Sequence, residues 1–212
     1  MMIRNKNIHS APPTHFNIAA RILHWLMASM ILTMIFVGLG MMTSLRWRPW
    51  LLDLHIPLGT AILLLVIIRL INRISFSVPK MPASMSNFQA KAAAGLHWLM
   101  YGMMVALPLT GWAQLSAGGF LVKILPGVNL PPILPQSPFL FALMHDAHKV
   151  MAWGFFLMII GHLSAALLHA WVYRDGLFSS ITWTRKTIDQ SENILQDRQS
   201  SDEINVGNEK LK

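Results

Sequence analysis

Nine histidines occur in this chain, and seven of them fall in or beside long apolar stretches. Four carry the chemistry: His24, His55, His148 and His162. An imidazole surrounded by lipid is costly unless its ring nitrogens are occupied. For one such residue the ordinary explanation is a hydrogen bond to a neighbouring helix. Several at matching depths point to metal ligation, since neutral imidazole is the commonest side-chain metal ligand. Two pairs at two depths would hold two haem irons, one imidazole on each face of each iron. An iron with both axial positions filled moves electrons rather than binding oxygen.

Composition narrows the choice. The chain has 212 residues, 54% of them hydrophobic and 12% charged, where a soluble domain carries about 25% charged residues. Cysteine is absent. That excludes disulfides, Cys-ligated iron–sulfur clusters, haem-thiolate and covalent c-type haem, so the expected cofactors are two non-covalent haems of b type. The net charge of +8 raises the question of nucleic acid. The basic residues flank apolar runs, however, so membrane topology accounts for them and no nucleic-acid partner is expected. The first twenty residues lack a continuous apolar core, and no cleavable signal is expected.

Four segments must position the histidines. They run from about Ile18 to Met42, Leu54 to Ile74, Ala92 to Leu115 and Leu143 to Tyr173. Each has the roughly 20 residues needed to cross the hydrocarbon core, and backbone satisfaction in lipid makes each a helix. The expected fold is all-α: an integral-membrane four-helix bundle with the cofactors in its interior. Residues 1–16 form a polar leader, 17–178 the transmembrane domain and 179–212 a polar tail. Trp47 and Trp50 in the short first connection suit an interfacial belt. Pro79 and Pro82 mark the second connection. The third, from Ala117 to Pro138, holds five prolines and three glycines and should fold over one face of the bundle. Within the spans, Pro108 is the one interruption expected, which argues against a transporter with broken helices. The Met-rich spans read as core filler rather than axial ligands.

Thirteen Lys and Arg fall on one side of these spans and four (Arg46, Arg48, Lys123 and Lys149) on the other. Both termini are therefore expected in the cytoplasm. On that orientation His24 opens the first helix from the inner side, and His55 opens the second from the outer side. His162 lies fourteen residues beyond His148. That is about 21 Å along a helix and nearly the same face, within about 40°. His55 then pairs with His148 in an outer site, and His24 with His162 in an inner one.

Three histidines compete. His169 is seven residues past His162 on a similar face. Arg69 follows His55 by the same fourteen residues that separate His162 from His148. If the outer site is level, Arg69 and His162 are level too, and Arg69 with Arg73 should mark the inner boundary; His162 is preferred. His148 is preferred to His145 by the same spacing. His97 reads as a hydrogen-bonding residue. Arg69 has two readings: a partner for haem propionates, or a cation snorkelling to headgroups. Gly59 and Gly161 would admit a flat macrocycle or, more commonly, serve helix packing.

Together these residues resemble the bacterial cytochrome b561 family. The resemblance rests on Arg21-Ile22-Leu23-His24-Trp25 in the first span and on His55, Gly59, Arg69 and Arg73 in the second. The third contributes His97, Ala106-Leu107-Pro108 and Gly111, and the fourth His148, Gly161-His162 with the apolar run after it, and His169. It covers about residues 17–178. It implies a di-haem membrane cytochrome of the bacterial inner membrane whose ligands fall at His24, His55, His148 and His162. It also implies an oxidoreductase that exchanges electrons with quinone. Some members are similar to superoxide oxidases, passing an electron from superoxide at the outer face to quinone. Arg46, Arg48, Lys123 and Lys149 offer such an anion a positive surface, weakened by Asp53 and Asp146. The alternative is a cytochrome b subunit that anchors a hydrogenase or dehydrogenase and docks a redox partner protein.

Overall fold

A computed structural model describes residues 16–76 and 85–182, with isolated positions at 196, 198 and 199. The leader with His9 and His15, the prolines Pro79 and Pro82, and nearly all of the polar tail lie outside the described residues. Four long helices follow in order: α1 Ile18–Thr43, α2 Arg48–Ser75, α3 Asn87–Ala117 and α4 Pro138–Leu168. All four are long and apolar enough to cross a membrane. Large apolar side chains are exposed on every one, among them Phe36, Leu64, Leu99 and Leu157. An apolar helix surface that faces outward belongs in lipid.

α2, α3 and α4 begin earlier than the apolar runs do, because polar caps and prolines start them, while α1 begins at Ile18 as its run does. Asn17 accepts from the Ala20 N–H at 2.6 Å and opens α1. Proline in the first turn opens both α2 and α4, where its missing N–H costs nothing. Ser86 and Gln89 form a reciprocal capping box at the head of α3, satisfying two orphan donors. A hydropathy reading sees only the lipid-facing stretch, so it sets the starts of α2, α3 and α4 several residues too late. Pro57 lies inside α2 as Pro108 lies inside α3. The expectation that Pro108 alone interrupts a span is therefore corrected: Pro57 interrupts α2 as well.

The helices pack as two hairpins, α1 along α2 and α3 along α4, joined where α2 meets α3. Between them sits a small core of Met27, Val66, Tyr101, Met104 and Phe155, with every helix contributing. Met27 and Met104 fill this core, with Met103 and Met158 against it, as the reading of methionine as filler expects. Phe155 stands midway along α4 between His148 and His162, so the core separates the levels of those two histidines.

The third connection carries structure that its prolines concealed. β1 Val122–Leu125 and β2 Val128–Leu130 form an antiparallel hairpin with Val122 opposite Leu130 and a register irregularity between Lys123 and Leu125. Gly127, at φ 81°, makes its turn. The hairpin is strapped to the end of α3. Trp112 Nε1–H donates to the Pro131 carbonyl at 2.9 Å, and the Ile133 N–H donates to Ser116 Oγ at 3.2 Å. At its other end α4 continues as a π-helical turn, His169–Tyr173, closed by Arg174 in a left-handed conformation. The chain then returns to α1: Trp25 Nε1–H donates to the Ile181 carbonyl at 3.2 Å and the Phe16 N–H to the Ser180 carbonyl at 3.2 Å.

Candidate cofactor site

Two pairs of imidazoles face one another across the bundle. His55 of α2 and His148 of α4 hold their ring centroids 6.1 Å apart with planes at 65°. His24 of α1 and His162 of α4 hold theirs 6.3 Å apart at 67°. Metal–imidazole bonds of about 2.0–2.1 Å on both faces of one metal place the ring centroids about 6.3 Å apart. Both pairs therefore fit a single ligated iron between them, and the donor set of two neutral nitrogens suits a b-type haem.

The other histidines stand differently. His97 approaches His162 with centroids 5.4 Å apart, too close for a metal between the rings, and its Nδ1–H donates to the Ala93 carbonyl at 2.8 Å. His145 stacks on Phe141 at 6.3 Å and receives a hydrogen bond from Gln114 Nε2 at 3.2 Å. His169 pairs with Asp175 at 2.6 Å. Among the described ring contacts, neither His145 nor His169 faces a histidine on another helix.

Hydrogen bonds behind the His148 ring set its tautomer. His148 Nδ1 lies 3.1 Å from the Leu107 carbonyl and 3.1 Å from Thr110 Oγ1. A carbonyl only accepts, so Nδ1 carries the proton and Nε2 keeps its lone pair, the arrangement usual in metal-ligating histidine. Gly111, one residue past Thr110, lets the His148 ring in close: a Cβ there would lie 3.4 Å from His148 Cε1. His55 Nδ1 is buried and has no hydrogen-bond partner among the described residues. Gly59 meets only Met34 Cε, at 3.5 Å, and Gly161 opens onto free space.

Arg69 reaches the His24–His162 pair. Its Nη2 lies 3.1 Å from His24 Nδ1, and its Nε–H donates to Tyr101 Oη at 3.1 Å. Arg69 is therefore level with His24 and does not reach outward alone. Tyr101, Thr110 and Gly111 are parts of the site that the sequence reading did not assign a role. A tyrosine, a threonine and a glycine on an apolar helix carry no spacing signal; their roles follow from how α3 is rotated.

The His55–His148 pair borders a cavity of about 1050 Å³ reaching from Ile31 and Phe155 up to the hairpin. Arg48, Lys123 and Lys149 stand on its lining with Asp53. Lys149 is paired with Asp146 at 3.2 Å, both exposed.

A four-helix transmembrane bundle with two facing imidazole pairs is the architecture of a membrane cytochrome. The family model for prokaryotic cytochrome b561 matches residues 15–184, and the chain belongs to that family. It is a bacterial multi-pass membrane protein, a b-type cytochrome of electron transfer. Similar proteins include cytochrome b561 homolog 1 of Escherichia coli (strain K12), 28% identical over 173 residues, covering 77% of this chain and 94% of that protein. The probable superoxide oxidase CybB of Yersinia pestis is 28% identical over 155 residues, covering 72% and 87%. Cytochrome b561 homolog 2 of the same E. coli strain is 25% identical over 166 residues, covering 77% and 88%.

Proposed function

We propose that the chain binds two b-type haems, one between His55 and His148 and one between His24 and His162, and carries electrons between a donor at the outer face and quinone in the membrane. Both termini face the cytoplasm. When bound, the haems supply one-electron transfer at irons with no open position. What supports the reading is one observation: two histidine pairs share nearly the same separation and tilt, and that separation fits one metal each.

The protein's own residues do the rest. Leu107 and Thr110 hold His148 with Nε2 free to ligate. Arg69, which reaches His24 Nδ1 and Tyr101, would supply a cation to a propionate of the inner haem. Met27, Val66, Met104 and Phe155 fill the space between the two sites and exclude water.

Superoxide is the proposed outer donor. Two superoxide anions give up one electron each and leave as dioxygen; the two electrons and two protons convert one quinone to the quinol. Arg48 and Lys123 at the outer cavity favour approach of a small anion. The relative from Y. pestis, whose name carries that activity, is consistent with this choice. Stopped-flow mixing of haem-loaded protein with superoxide tests it: haem reduction should be much faster than in a His55→Ala variant. Equal rates would rule superoxide out, and co-purification of a hydrogenase or dehydrogenase subunit would favour a docked protein as donor.

A further inference from the structure

We infer that Tyr101 is a positioning residue for the inner cofactor, acting through Arg69. This rests on the reading of His24 and His162 as the inner ligands. Three helices meet at the Arg69 guanidinium. It comes from α2, its Nε–H donates to Tyr101 Oη of α3 at 3.1 Å, and its Nη2 lies 3.1 Å from His24 Nδ1 of α1. Its Nη1 is buried with no hydrogen-bond partner among the described residues. Tyr101 is itself only 7% exposed, and Arg73 lies across its ring, 5.7 Å from the centroid.

A guanidinium is a rigid planar fork, so fixing the direction of Nε–H fixes the directions of both Nη groups. An arginine near a helix end otherwise extends its flexible stem toward headgroups. Tyr101 holds Arg69 inside the bundle instead, and the boundary position falls to Arg73 a turn later. A buried N–H without an acceptor is rare in a folded protein and calls for a partner. For a guanidinium that partner is an anion, and the carboxylate edge of a porphyrin supplies one.

The contact with His24 has to give way when His24 ligates. Arginine only donates, so His24 Nδ1 accepts there. An imidazole that ligates through Nε2 carries its proton on Nδ1. Nη2 and that proton cannot share one position. Ligation by His24 therefore frees the Nη groups for the carboxylate, while Tyr101 retains Nε and keeps the cation in the site. A cation held there favours the less positive iron, so it raises the inner haem's potential.

Potentiometric titration of the two haems in the full-length loaded protein, with low-spin ferric EPR alongside, tests the assignment. Tyr101→Phe keeps the ring and removes the acceptor. It should retain two haems, lower the inner midpoint and leave the outer one unchanged. Arg69→Gln should lower the inner midpoint further, and the double variant should match Arg69→Gln alone, because Tyr101 has no effect without its arginine. An unmoved inner midpoint in Tyr101→Phe, or a double variant whose shift is the sum of the singles, overturns the inference. So does loss of the inner haem in Tyr101→Phe but not in Arg69→Gln. Retention of both haems in His24→Ala would instead refute the ligand reading on which it rests.

Discussion

The imidazoles of His55 and His148 stand 6.1 Å apart, centroid to centroid, with planes at 65°. They lie ninety-three residues apart in sequence, on helices from different hairpins of the bundle. His24 and His162 repeat the relation on the far side of the core. Each pair should therefore stand or fall as a unit. In purified protein, His55→Ala and His148→Ala should each reduce the haem count from about two per chain to about one and remove the same spectral component. His24→Ala and His162→Ala should remove the other component. A haem chromophore assay with reduced-minus-oxidised spectra reads the outcome, and a variant at His169 that loses a haem while His162→Ala keeps both would reverse the inner pairing.

Gly111 should be selective for size. A methyl group at its Cβ position would sit 3.4 Å from the His148 ring, close but within reach of a small shift. Gly111→Ala should keep two haems. Gly111→Val adds bulk that the ring must leave, so it should lose the outer haem and keep the inner one, as read by the same two spectral components. Because α3 and α4 pack closely, the thermal midpoint in detergent should also fall.

Ser116 ties the hairpin to α3. The residue is 3% exposed, accepts from the Ile133 N–H at 3.2 Å and donates to the Trp112 carbonyl at 2.9 Å. Ser116→Ala leaves that N–H without its acceptor, at a cost of about 0.5–1.5 kcal/mol because Ile133 is partly exposed. Hydrogen exchange at Ile133 should accelerate sharply while exchange within α4 stays as it was. Unchanged protection at Ile133 would show that the Trp112–Pro131 contact suffices to hold the strap.

Asp175 gives the C-terminal end of α4 an acid limit. Burial pushes its carboxyl up, but hydrogen bonds from the Leu177 N–H and from His169 outweigh that and hold it below the ordinary aspartate value. A carboxylate held low in the folded state contributes stability above its unfolded pKa, and that contribution is lost as pH falls through the folded value. The thermal midpoint of the native protein should exceed that of Asp175→Asn near neutral pH. The gap should close below about pH 4. A gap that persists in acid would assign the pair a packing role instead.

Much of this was legible in the residues themselves. Apolar runs bounded by Arg69, Arg73 and the interfacial tryptophans give four spans, because lipid admits only helices of that length. The fourteen-residue interval in α4 puts His148 and His162 on one face by the geometry of the helix alone. Other features left no such trace. The starts of α2, α3 and α4 depend on caps and prolines that hydropathy passes over. The hairpin at Val122–Leu130 was hidden in a segment read as irregular, since a few residues among prolines give little alternation to detect.

By itself, then, the sequence determined the number of spans and the levels at which the histidines sit, because rise and turn per residue are properties of a single helix. Which side chains stand behind those histidines was decided only by the tertiary structure. Leu107, Thr110 and Gly111 reach His148, and Tyr101 reaches Arg69, because α3 has a particular rotation about its axis. That rotation is set by packing against two neighbours at once, and no interval within one helix records it.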